Sequence, residues 1–98
     1  LGIVSVAAAI TLDGKAEKCK EARIALGAAA SIPKRAKEAE KILTGQKLED
    51  GLLEKTGEKA SEEADPVTDI HATEAYRRYL VKALTKKMVK RAWEEARV

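Results

Sequence analysis

Side chains alternate along the first stretch of this chain, and that alternation limits what it can become. Val4, Val6, Ala8, Ile10 and Leu12 fall on one side of an extended backbone. Ile3, Ser5, Ala7, Ala9 and Thr11 fall on the other, and most of these are small. The pattern predicts a strand over Ile3 to Leu12, with one face for a core and one that another element can approach closely. Asp13-Gly14 follows as a hairpin signal, because positive φ is easy for Gly and tolerated by Asp. A second strand is expected from about Lys20 to Ala28, with Ala22, Ile24, Leu26 and Ala28 on its inner face. The loop tip between them runs from Lys15 to Cys19. Two strands alone make a poor sheet, so a further strand is expected from upstream sequence or from a partner.

After Ala28 the period changes. Ser31 and Pro33 read as a helix start, and Ala36, Ala39, Ile42 and Leu43 as its apolar stripe. Gly45 suits the end of that helix. A second helix is expected from about Asp50 to Ala64. Leu52, Thr56, Ala60 and Ala64 lie four apart on one face, Gly57 sits inside, and the helix reads as partly exposed. Asp65-Pro66 ends it. Val67 to Thr73 forms a loop, and Thr73 is placed to cap a last helix from Glu74 to about Arg97. Its expected stripe is Tyr76, Leu80, Ala83, Leu84 and Met88, extended by Trp93. The whole reads as α+β: an antiparallel hairpin or small sheet on three helices, with Ile24, Leu26, Leu80 and Leu84 in the core.

Composition narrows the function. With 98 residues, no Phe, two Tyr and one Trp, the chain has material for one modest aliphatic core, taken as a single domain over 1–98. No apolar run is long enough to cross a membrane as a helix. Leu1 to Ile10 lacks a basic leader and reads as the start of a fragment or processed chain. A lone Cys19 forbids an internal disulfide, and a reducing cytoplasm is the simplest setting. The net charge of +3 conceals a segregation. Residues 48–70 carry eight acidic and two basic groups, whereas residues 71–98 carry eight basic and three acidic.

Candidate chemistry is sparse. Gly27, between the second strand and the first helix, matches no dinucleotide or phosphate-loop spacing, and close packing is the plainer account. His71 beside Asp69 has the makings of an acid–base pair, but no nucleophile or second acid stands near in sequence. Cys19 is flanked by Lys18 and Lys20, which would lower a thiol pKa, yet an incidental thiol suits it better. One His and one Cys give no metal-ligand spacing. Arg78, Lys82, Lys86 and Lys90 are four apart and line one face of the last helix, with Arg77 and Lys87 close by. That face is the candidate interface. It is either solvated, neutralised by the acidic stretch 48–70, or turned to a protein partner. A nucleic-acid track lacks the aromatic interleaving that base stacking needs.

Three motifs in order carry a resemblance. Ala22-Arg23-Ile24-Ala25-Leu26-Gly27-Ala28, followed by Pro33 and Arg35-Ala36, is one. Ala64-Asp65-Pro66-Val67-Thr68-Asp69-Ile70 with Ala72-Thr73-Glu74-Ala75-Tyr76-Arg77-Arg78 is the second. Ala8-Ala9-Ile10-Thr11-Leu12-Asp13-Gly14 is the third. Together they resemble the C-terminal domain of the FAD-binding, or medium, subunit of molybdenum hydroxylases, the carbon monoxide dehydrogenase and xanthine dehydrogenase group. The likeness covers nearly the whole chain. It implies an oxidoreductase complex in which electrons pass from molybdopterin through 2Fe–2S clusters to FAD. It implies that FAD is bound mainly by upstream domains, which this chain lacks. This domain would pack on them and help dock the iron–sulfur and molybdenum subunits, with no catalytic, cofactor or metal residue of its own. The family's Arg after Asp-Ile is His71 here. The alternative is a free-standing protein-interaction module using its basic helix. On either reading no nucleic-acid partner and no membrane insertion are expected.

Overall fold

The computed structural model describes residues 4–14, 18–28, 33–64 and 74–97. Strand β1 runs Val4–Leu12 and β2 runs Cys19–Ala28. They pair antiparallel, from Val4 opposite Ala28 to Leu12 opposite Cys19, with a register irregularity after Thr11. The hairpin does not close on a two-residue Asp13-Gly14 turn. Asp13 donates its amide to the Lys18 carbonyl at 2.9 Å, so the connection is longer, and Cys19, expected at the loop tip, already belongs to β2. Pairing puts Ala22, Ile24 and Leu26 in the core, with Val6, Ala8, Ile10 and Leu12 beside them. At these positions the expected period-2 face of each strand is the covered one, while the side chains of Val4 and Ala28 lie outside the described residues.

The third strand comes from within the chain. Lys34–Arg35 is a short strand β3, paired antiparallel to β2 through Ala25 and Leu26, giving the sheet order β1-β2-β3. This corrects both the expectation of an outside strand and the helix start at Pro33. Helix α1 is only Lys37–Leu43. The backbone stays extended through Arg35 because it has sheet partners there. Ala36 then donates to the Ile24 carbonyl at 2.9 Å before the helix begins. Ala36, Ala39 and Leu43 are buried, as the stripe required. Past the helix, Gly45 takes φ of +82°, which its lack of Cβ permits. Gly45 donates to the Cys19 carbonyl at 2.7 Å, and Cys19 donates to the Gln46 carbonyl at 2.9 Å, so the chain rejoins the edge of β2.

Glu40 completes that edge. Its carboxylate is buried, at 7% exposure, and accepts the Ile24 amide at 2.8 Å. Arg35 donates to both of its oxygens, at 3.1 and 2.7 Å. A buried amide without a partner is costly, and here a side chain stands where a neighbouring strand would have been.

Helix α2 spans Asp50–Glu63 and α3 spans Glu74–Ala96, close to expectation. Leu52, Thr56 and Ala60 are buried, as the four-residue spacing predicted, and Leu53 and Gly57 join them. Glu63 reaches from the end of α2 to accept amides of Glu38 and Ala39, at 3.2 and 2.8 Å, at the open start of α1. In α3 the buried line is Val81, Thr85, Val89 and Trp93. The expected stripe is thus rotated. Tyr76 and Ala83 are exposed, and Leu80, Leu84 and Met88 are half-buried outside the core. The reason lies in the neighbour. A Cβ on Gly57 would stand 3.0 Å from the Lys82 carbonyl oxygen and 2.9 Å from Lys86 Cγ. That bare spot admits the Lys82–Lys86 side of α3 closely, and the small residues beside it turn inward.

Candidate docking surfaces

The basic face of α3 lies along the seam with α2. Lys82 Nζ is 2.5 Å from Glu54 Oε1 and 3.4 Å from Glu58 Oε1, and Lys86 Nζ is 2.5 Å from Glu54 Oε2. Arg78 donates to the Ser61 carbonyl. Glu54, held between two ammonium groups, has its pKa pulled from 4.5 to about 2 by hydrogen bonds from Lys82 and then Lys86. Lys82 is raised above its usual 10.5, chiefly by its bond to Glu54. The segregated charge read from the sequence is therefore matched in part inside the chain, at Lys82 and Lys86. Within the acidic stretch, Glu54 and Glu58 of α2 face the basic helix. Of the four candidate interface residues, Arg78, Lys82 and Lys86 are half-buried at this seam. Lys90 is exposed, with no carboxylate partner among the described residues.

The outer face of the sheet is a second surface. Ser5, Ala7, Ala9 and Thr11 of β1 are exposed, while α3 and α1 pack on the sheet with α2 against them, and Val6, Ala8, Ile10 and Leu12 face that core. Across from them on β2 stand Gly27, Ala25, Arg23 and Glu21. A Cβ on Gly27 would come within 2.6 Å of Ser5 Oγ, so the missing side chain serves a close cross-strand contact. Arg23 and Glu21 pair at 3.0 Å at the far end. The result is a strip of small side chains with one ion pair.

The other sequence candidates separate. Cys19 is buried, and desolvation pushes its thiol above the usual 9.0, against the lowering its lysine neighbours had suggested. A raised thiol is a poor nucleophile. Asp69, His71, Ser31 and the Asp65-Pro66 stop lie outside the described residues. Among the described residues no three His, Cys, Asp or Glu side chains converge to hold a metal ion, and no helix is long and apolar enough to cross a membrane. Sequence reading missed one feature entirely. Tyr76 and Tyr79, taken as core or left aside, stack on each other in solvent with centroids 6.5 Å apart. Their spacing of three, with Arg residues between, was the available signal for a shared exposed face.

The comparisons with known proteins agree with one another. Residues 1–92 match the family described as the CO dehydrogenase flavoprotein C-terminal domain. The chain is 38% identical over 88 residues to the glyceraldehyde dehydrogenase medium chain of Sulfolobus acidocaldarius, covering 90% of this chain and 31% of that one. Its fold is similar to quinoline 2-oxidoreductase from Pseudomonas putida 86, with a TM-score of 0.88 and 31% identity over 99% of this chain and 33% of that one. It is also similar to the Cu,Mo-CO dehydrogenase in its cyanide-inactivated form, with a TM-score of 0.82 and 30% identity over 99% of this chain and 32% of that one. The chain thus spans about a third of the length of the relatives it matches.

Proposed function

The chain belongs to the CO dehydrogenase flavoprotein C-terminal domain family, and from that premise we propose that residues 1–98 form the docking domain at the C-terminus of an FAD-binding subunit. The parent enzyme is a molybdopterin-dependent oxidoreductase of the carbon monoxide, xanthine or aldehyde dehydrogenase type. FAD is held by the part of the subunit preceding β1. Molybdopterin and 2Fe–2S clusters sit in partner subunits, and electrons run from molybdenum through the clusters to flavin. The setting is the cytoplasm, consistent with the lone, buried Cys19. Gly27 does not fit a phosphate cradle, since Ser5 occupies the space beside it. No chemical step is assigned to this chain's own residues.

The observation that supports a docking role best is the open, small-residue face of the sheet. Ser5, Ala7, Ala9 and Thr11 have little side-chain entropy to lose and allow a neighbour's backbone to come close. Such a strip suits permanent packing against another folded part of the enzyme. The basic face has a lesser role, orienting partner subunits through Lys90 and the outer sides of Lys82 and Lys86. A free-standing module built on that face has less support, because α2 already neutralises two of its four cations. Deleting this domain from the complete subunit tests the proposal. Flavin should remain bound while assembly with the molybdenum and iron–sulfur subunits is lost. Full assembly without the domain would refute it.

A further inference from the structure

Two of the chain's three aromatic side chains stand in solvent. Tyr76 is 51% exposed and Tyr79 65%, and they are the exposed large hydrophobics among the described residues. They are not scattered. Their rings stack with an interplanar angle of 21°, one turn apart on α3. Continuing at helical spacing, Ala83, Lys87 and Lys90 are exposed on the same side, opposite the buried line Val81, Thr85, Val89 and Trp93. Lys87 and Lys90 have no carboxylate partner among the described residues, unlike Lys82 and Lys86, which share Glu54, or Arg91, which pairs with Glu95. An aromatic pair with uncompensated cations farther along the same helix face has the composition of an interface anchor with a charged rim.

The connectivity says where this surface lies. Arg78 meets Ser61 near the end of α2, and Glu63 of α2 meets the start of α1. The residue before α1, Ala36, bonds to Ile24 on the way to the β2 end where Val4 faces Ala28. The tyrosines therefore sit toward the end of the domain at which β1 begins. The relatives are about three times longer than the matched stretch, and the family is the C-terminal domain of its flavoprotein. In such a polypeptide the remaining two-thirds enter at that end.

We propose that the stacked Tyr76–Tyr79 pair is the seat on which the preceding part of the same polypeptide docks, with carboxylates of that part opposite Lys87 and Lys90. The inference rests on reading the chain as the C-terminal docking domain and names a surface that reading did not. Tyrosine nitration by tetranitromethane, mapped by peptide mass spectrometry, tests it on the complete flavoprotein subunit, purified alone and within the assembled enzyme. In the subunit alone, both tyrosines should react about tenfold or more slowly than free tyrosine, as desolvated anchors do. Lys87→Glu with Lys90→Glu should speed their nitration. Free reaction of both tyrosines overturns the proposal. So does protection that appears only on assembly, which assigns the seat to a partner subunit. Protection lost on dilution to monomers assigns it to a second copy and also overturns it. If the enzyme assembles while the tyrosines react freely, only this seat fails. If the subunit does not join its partners at all, the docking function itself fails.

Discussion

Helices α1 and α3 are attached to the rest of the molecule in contrasting ways. Helix α1 is built into the sheet edge by directed, partly buried hydrogen bonds: Glu40 to Ile24 and Arg35, Ala36 to Ile24, Gly45 and Gln46 to Cys19. Helix α3 rests on one deep aromatic, Trp93, a close approach at Gly57, and ion pairs at its rim. The first attachment depends on each atom having its partner, so loss of one leaves an orphaned group. The second is graded, and its rim responds to salt and pH. A short helix of seven residues has too little apolar surface to hold itself by burial alone, whereas one of 23 residues has length to spare.

Breaking the α3 attachment at its anchor should have the largest effect. Trp93 is 0% exposed, and Trp93→Ala should cost about 3–5 kcal/mol in urea unfolding. Next comes the α1 attachment. Glu40→Ala strands the Ile24 amide and should cost about 2–3 kcal/mol, with little change in the cost between low and high salt. A large salt dependence would mean the Arg35 pair, not the buried amide, carries the interaction. Gly57→Ala places a methyl against the Lys82 carbonyl, at a steric cost of roughly 1–3 kcal/mol. Better helix propensity returns up to about 1 kcal/mol. A net loss of about 1 kcal/mol is expected, and a gain would show that the helices part easily.

The rim ion pairs should have the smallest effect and the clearest signature. Glu54 titrates lower in the folded chain, at about 2 against 4.5, so its contribution is present above pH 4.5 and is lost as pH falls toward 2. Lys82 titrates higher when folded, so its contribution persists to its usual 10.5 and fades as pH rises beyond. The Tm difference between wild type and Glu54→Gln should therefore shrink from pH 4.5 down to 2, and also in about 1 M salt. A constant difference across that range would remove Glu54 from the account.

The same contrast explains what was legible in the sequence. The hairpin was, because a period of two fixes which residues face inward once one face is apolar. Helix α2 was, because Leu52, Thr56 and Ala60 repeat at helical spacing. The charge match between α2 and α3 was visible as two oppositely charged blocks. The start of α1 was not, because Lys34 and Arg35 are extended only by virtue of Ala25 and Leu26, distant in sequence. Nor was the inward face of α3. Leu80, Leu84 and Met88 are its bulkiest aliphatics, yet the bare surface at Gly57 and the anchor at Trp93 select a line containing Thr85. The exposed tyrosines followed from the same rotation.

The docking role proposed for the open sheet face is contact with the molybdenum and iron–sulfur subunits, apart from the tyrosine seat proposed for the preceding part of the polypeptide. Ala7→Arg with Ala9→Arg, made in the complete subunit, tests it most directly, because both positions are exposed in the domain. Co-purification with the molybdenum and iron–sulfur subunits is the measurement, with circular dichroism and bound flavin as controls. The account predicts a folded, flavin-bearing subunit that fails to co-purify. Co-purification at the wild-type yield would contradict it.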